Sequence, residues 1–194
     1  MPISNQQSKI SYRRKPRPRP KTMAEFFARE REVWSELAAT WRGLPDEALL
    51  RPGACGPGWS VKDVMNHIAA WMKAALRVVP ELALGRRAAA GHGVDQFNAL
   101  HYAEAKDRSL AASRRCLNRA RRDLLALVES LPAAQALDVD AGIGRWIKYS
   151  TYGHYGEHIH ELTQFRERFD RSERRHSARS SRSSTVTARA KEER

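Results

Sequence analysis

Residues 60–79 read SVKDVMNHIAAWMKAALRVV, and this stretch decides the architecture. Ser60 followed by Asp63 is a capping-box pattern, in which each side chain satisfies a backbone N–H left open at a helix start. Behind it, Val61, Val64, Met65, Ile68, Trp71, Met72, Ala75 and Leu76 recur at helical spacing and make one apolar face. Pro80 predicts a stop near Val79. His67 lies on the border of that face, with Val64 three residues before it and Trp71 four after. It either reaches into a cavity between helices or sits half-exposed without a task.

Three further segments carry the same pattern. Upstream, Thr22 with Glu25 repeats the cap, and Phe26, Phe27, Val33, Trp34, Leu37 and Trp41 recur until Leu44-Pro45 ends the helix. The loop 51–59 (RPGACGPGW) is rich in Gly and Pro. Residues 80–93 (PELALGRRAAAGHG) read as a flexible connection, with His92 exposed between two glycines. Asp95, Phe97, Asn98, Leu100 and Tyr102 open a shorter helical piece. From about Ser109 to Leu131, four leucines (Leu110, Leu117, Leu124 and Leu131) stand seven apart, with Arg115, Arg119 and Arg122 on a solvated opposite side. Residues 132–146 read as a loop; its Gly142-Ile-Gly144 carries no weight for nucleotide binding without a third glycine or a preceding strand. A last helix is expected from about Ile147 to Phe169. Nothing reads as a strand of consequence. The fold class expected is all-α: an up-down four-helix bundle with a long crossover loop, burying one core over residues 23–170.

The ends have another composition. The net charge of +13 resembles a nucleic-acid signature until it is divided along the chain. Residues 1–22 carry +7 with no acidic residue, residues 171–194 carry +5, and the body 23–170 is left at +1. The first segment, polyproline-like at Pro16-Arg17-Pro18-Arg19-Pro20, reads as a disordered basic extension, and the last as a disordered Arg/Ser-rich tail. Met23 is an alternative start. Such tails hold nucleic acid through sequence-independent phosphate contacts, so nonspecific affinity is expected there and not in the domain. No apolar run is long enough to span a membrane. Two cysteines, Cys55 and Cys116, without a secretory signal give the expectation of a reducing, cytoplasmic location.

The chemistry is expected in the last helix, at Tyr152-Gly-His-Tyr-Gly-Glu-His158. His154 and His158 are four apart, offset by only about 40° around a helix. The face they share also holds Tyr155, Ile159, Leu162, Phe165 and Phe169. Two such imidazoles grip one metal ion if a third ligand comes from elsewhere; otherwise they are buried histidines bonded to backbone. Gly153 and Gly156 each cost about 1 kcal/mol against Ala in a helix interior, and would allow another backbone or a ligand to come close. His160 points away from the pair. In a bundle His67 can join His154 and His158, and three neutral imidazoles leave an open position for water or substrate. Zn, Ni, Fe and Cu all suit imidazole. The run His154-Tyr-Gly-Glu157-His158 also fits the inverted zinc-peptidase pattern, but only 36 residues remain for the acidic ligand that class needs.

The segment from Gly58 to Trp71 resembles the second-helix signature of the DinB-like four-helix bundle superfamily (a DinB/YfiT-like metalloenzyme fold). Val94-Asp-Gln-Phe-Asn98 and Tyr152-Gly-His-Tyr-Gly-Glu-His158 resemble its ClbS/DfsB branch, named for a self-protection protein against colibactin. The resemblance covers roughly residues 23–169. It implies a divalent metal (Zn, Ni or Fe) on His67, His154 and His158, and a hydrolase or thiol-transferase activity on a small molecule, with a low-molecular-weight thiol as a further cofactor. Some members of that branch lack the triad, so its presence points to the metal-bearing type. Asn98, Tyr152 and Tyr155 are candidates for lining the pocket, and Asp63, Glu157 and Glu161 for orienting ring nitrogens. The alternative is a non-catalytic bundle that sequesters a small electrophile, with basic tails on nucleic acid. A homodimer is compatible with either.

Overall fold

The cap at Ser60 forms as its sequence implies: Ser60 Oγ accepts from the Asp63 backbone at 3.2 Å, and Asp63 Oδ2 accepts from the Ser60 backbone at 2.9 Å. A computed structural model of the chain describes residues 18–56, 58–86, 93–140 and 142–192, with side chains described as far as His176. The expectations for residues 1–17, for His92 and for the 87–92 part of the connection lie outside the described residues. Within them the elements are α1 (Met23–Trp41), α2 (Asp46–Leu50), α3 (Val61–Ala83), α4 (Val94–Ala105), α5 (Leu110–Ser130), α6 (Ala133–Leu137), α7 (Gly142–Ser150) and α8 (Tyr152–Glu192). No strand occurs among the described residues; one isolated bridge joins Cys55 to Trp59.

The four long helices, α1, α3, α5 and α8, make an all-helical bundle. Packing is most extensive between α3 and α5 and between α1 and α8, and α3 also meets α4, α7 and α8. The leucines of α5 are layered as their spacing requires: Leu110, Leu117 and Leu124 are buried and Leu131 is half-buried, while Arg115, Arg119 and Arg122 are exposed. Opposite them, Val64, Met65, Ile68 and Met72 of α3 are almost wholly excluded from water, as are Phe26 and Leu37 of α1 and Leu162 of α8. Burying side chains of this size contributes roughly 1.5–3 kcal/mol each. That burial is what holds α3 at the centre, with His67 carried on its edge.

Four boundaries differ from the expectations. Helix α3 passes through Pro80 to Ala83 and is closed by Gly85 at φ +70°. Proline removes one hydrogen bond and crowds the carbonyl four residues back, a cost borne here in the last turn, and a left-handed glycine just beyond that turn satisfies the carbonyls that follow. The segment 132–146, expected to be a loop, contains α6 and most of α7. Their turns are too short for a periodic signal, and Gly144 is there because a Cβ would lie 2.3 Å from the Asp138 carbonyl oxygen.

The expected helix from Ile147 is broken at Thr151, whose hydroxyl donates back to the Ile147 carbonyl at 2.7 Å. Back-bonding of this kind bends a helix. A Cβ on Gly153 would sit 2.7 Å from the Lys148 carbonyl oxygen, so the start of α8 packs against the end of α7 only through glycine. Gly156 meets nothing within 4 Å and allows no such approach.

Finally, α8 does not end at Phe169 but continues to Glu192, across the segment expected to be disordered. Extending a formed helix needs no new nucleus, and Arg, Ala, Lys and Glu are good helix formers. None of the described side chains from Arg171 to His176 is buried, so this extension adds nothing to the core.

Candidate metal centre

Helices α3 and α8 bring three imidazoles to one point. His154 Nε2 lies 2.9 Å from His67 Nε2 and 3.1 Å from His158 Nε2. The ring centroids of His67, His154 and His158 are 4.8, 5.1 and 4.9 Å apart, pair by pair, with the rings turned edge to face or tilted. Three nitrogens around a tetrahedral zinc at about 2.0–2.1 Å would be about 3.3 Å apart. The cluster therefore has the size and the donor set of a metal site. His160, two residues further on, bonds Gln164 at 3.0 Å on the exposed side and takes no part.

Electrostatics keep these rings neutral. Burial, reinforced by His158, holds His67 at about 3. Burial holds His158 at about 4, and burial with its two neighbours holds His154 well below the ordinary histidine range. A neutral ring nitrogen carries either one proton or one lone pair, so His154 Nε2 makes one good hydrogen bond, not two. Its other nitrogen, Nδ1, is buried without a partner among the described residues. Hydrogen bonding alone leaves this cluster poorly satisfied, whereas a cation accepts all three lone pairs together.

Around the cluster stands an aromatic wall. Trp59 lies 5.0 Å from His67 and stacks on Tyr102 at 5.8 Å; Trp71 lies 6.4 Å from His154 and 4.3 Å from Phe97. Between α3 and α4 a recess of about 10 Å³ is bounded by Trp59, Asp63, Asn66, His67, Asn98 and Tyr102, among others. That is the lower bound of space for one water. Asn98 belongs here, its Oδ1 accepting from Trp71 Nε1 at 3.1 Å.

The remaining candidates are scattered. Asp63 borders the recess but spends its carboxylate on the Ser60 backbone and hydroxyl, at 2.9 and 2.6 Å. Glu157 faces solvent. Tyr152 packs on Phe26 at 5.7 Å, and Tyr155 is wholly buried, donating to Glu30 at 3.2 Å. Both tyrosines thus lie on the α1 side of α8: Tyr155 is one residue step, about 100°, from His154, and Tyr152 is two steps, about 160°, from it.

Glu161 is brought in by a residue that periodicity could not single out. Cys55, in the loop before α3, donates to Glu161 Oε2 at 2.6 Å and lies 3.7 Å from His158 Nδ1. Burial and the hydrogen bond to Glu161 push the thiol well above its ordinary range. The loop carries no apolar repeat, and its partners stand more than a hundred residues away; the only sequence signal was an isolated cysteine beside Trp59.

No curated protein matches the chain by sequence. Solved structures do match in fold. An uncharacterised protein from Escherichia coli UTI89 aligns with a TM-score of 0.67 at 17% identity, over 78% of this chain and 96% of that one. The colibactin self-resistance protein ClbS, in complex with a dsDNA, aligns at 0.66 and 16%, over 76% and 97%. The sibling lethal factor precursor DfsB aligns at 0.64 and 14%, over 77% and 97%. The model of the DinB superfamily matches residues 30–171, from the middle of α1 through all three histidines to just past Phe169. With the bundle and this match in hand, the chain belongs to the DinB superfamily.

Proposed function

We propose that the chain is a metal-dependent enzyme acting on a small molecule, a hydrolase or thiol transferase with a detoxifying or self-protecting role. One observation carries this reading: three neutral imidazole nitrogens from two helices converge in a set that hydrogen bonds satisfy poorly. His67, His154 and His158 would hold one divalent ion, Zn, Ni or Fe. When bound, the ion would supply Lewis acidity to a substrate oxygen or to a low-molecular-weight thiol. The chain's own residues provide the setting. Burial keeps the imidazoles neutral, Trp59 and Trp71 wall the cluster, and the recess beside His67 and Asn98 has room for about one water next to the ion. Both cysteines are free thiols, which suits a reducing cytoplasm.

Full-length protein, stripped with chelator and reloaded separately with Zn, Ni or Fe, should retain at least one equivalent of one of them. His158→Ala should abolish that retention with helicity intact, and His160→Ala should keep it. Retention of no metal above background by the wild type would sink the reading.

A second reading, a non-catalytic bundle that sequesters a small electrophile near DNA, is favoured by the ClbS complex with dsDNA and by the basic ends of this chain. Any such affinity is assigned to residues 1–22 and 171–194, flanking a folded unit of 23–170. Binding should fall steeply with salt. A chain trimmed of both ends that binds DNA as tightly as the full one would move the affinity into the domain. In the described residues no helix is long and apolar enough to cross a membrane.

A further inference from the structure

Behind the three-histidine cluster, on the other edge of the His158 ring, stands a second set of ligand-type atoms. Cys55 Sγ, Glu161 Oε2 and His158 Nδ1 all lie within 4.8 Å of one another. Zinc bonded to sulfur at about 2.3 Å and to nitrogen at about 2.0–2.1 Å would set those two atoms about 3.6 Å apart. The Cys55–His158 pair, at 3.7 Å, already meets that spacing. The Cys55–Glu161 pair is closer, at 2.6 Å, and the Glu161 carboxylate must draw back by about 1 Å to admit an ion between them. The loop is built to hold this position: the N–H groups of Gly53 and Ala54 donate to the Trp59 carbonyl at 3.0 and 2.8 Å. Arg168 of α8 donates to the Gly53 carbonyl at 2.9 Å, tying the cysteine loop to the helix that carries its two partners.

We propose that Cys55, Glu161 and His158 Nδ1 form a second cation site, for a thiophilic divalent ion such as Zn²⁺ or Cd²⁺, sharing the His158 ring with the three-histidine centre. One sulfur, one imidazole and one carboxylate favour such ions over Mg²⁺ or Ca²⁺. Occupancy releases the Cys55 thiol proton to solvent and Glu161 exchanges its hydrogen bond for the cation, while a neutral His158 ring keeps its one proton on Nε2 unless the three-histidine centre is also filled, when that proton too goes to solvent. With both centres filled, the His158 ring bridges them. The inference shares His158 with the function proposed above but needs neither His67 nor His154.

The test is a titration of the full, chelator-stripped chain with Co²⁺ under reducing conditions. A near-ultraviolet thiolate-to-cobalt charge-transfer band is expected in the wild type and in Cys116→Ser, and none in Cys55→Ser. Glu161→Gln should weaken the ion that gives the band at least tenfold. His67→Ala should lose one equivalent of cobalt yet keep the band, so failure of the three-histidine reading and failure of this one give different results. A wild type without the band, or a band that disappears with Cys116→Ser in place of Cys55→Ser, overturns the proposal. So does a Cys55→Ser chain that merely binds its first ion more weakly when the wild type shows no band; Cys55 would then only orient His158.

Discussion

Two polar clusters are buried on neighbouring faces of the first turns of α8, one toward α1 and one toward α3, and they differ in one respect. On the α1 side, Glu30 is fully excluded from water, and Arg121 donates to both of its oxygens at 2.7 and 2.6 Å. Tyr155 donates to the same carboxylate, and the guanidinium lies 4.5 Å over the ring of Trp34. Charge is balanced and the carboxylate is saturated, so this network joins α1, α5 and α8 and asks for nothing more. On the α3 side, one residue earlier in sequence, His154 Nε2 faces both His67 and His158 with only one proton or one lone pair to share, and its Nδ1 has no partner among the described residues. A saturated buried cluster is a fastener; an unsaturated one is a place to bind something. The contrast teaches which buried polar groups of this bundle to regard as structural.

The comparison breaks first at Arg121. Removing one partner of a buried pair strands the other charge, so Arg121→Ala should lower stability by about 3–5 kcal/mol in urea unfolding. His154→Leu, which removes a ring with a buried unpartnered nitrogen, should change the metal-free protein by no more than about 1.5 kcal/mol. Equal losses at the two positions would erase the distinction.

Acid sharpens the difference. The unfolded chain takes up protons on its histidines near pH 6.5, whereas folded His67 and His158 resist until about 3 and about 4. Depressed folded values mean that the metal-free protein loses stability as pH falls below about 6.5, by up to about 1.4 kcal/mol per pH unit for each such histidine. The loss should slow below the folded values. Denaturant midpoints between pH 7 and 4 read this directly; a flat profile would show that the rings titrate normally and are not held neutral by burial. Replacing His67 and His158 together should reduce the slope of the same profile, leaving the share that belongs to His154.

The smallest effects lie at two glycines. Gly153→Ala forces a Cβ to 2.7 Å from a backbone oxygen and should destabilise the α7–α8 junction, shifting the thermal midpoint down. Gly156→Ala, exposed and facing open space, should be stabilising by up to about 1 kcal/mol through helix propensity. A stabilising change at Gly153 would mean that the junction has room for a methyl group.

Much of this was legible in the chain because helices announce themselves by repetition. Capped apolar faces located α1 and α3, the seven-residue leucine spacing located α5, and the four-residue spacing of His154 and His158 located half the centre. His67 was legible only as a border residue; the crossing of α3 over α8 turns that border into an interior. Cys55 had no such signal, since its partners are set by how a glycine-rich loop folds back onto α8. Glu30 did have one: it sits four residues after Phe26 and three before Val33, on the apolar face of α1. A charge in that position asks for a partner, but Arg121 stands among a row of arginines of which the others reach solvent, and one-dimensional spacing does not choose between them. The Thr151 break and the short α6 and α7 were hidden because single back-bonds and close glycine contacts set them, and neither leaves an apolar repeat to read.

The most direct measurement is anomalous diffraction from crystals grown with Zn²⁺, Ni²⁺ or Fe²⁺. The account predicts a peak about 2.0–2.1 Å from the Nε2 atoms of His67, His154 and His158 together, with no ion at His160. Crystals grown with each metal that show those three nitrogens hydrogen-bonded to one another, with no anomalous density among them, would contradict it.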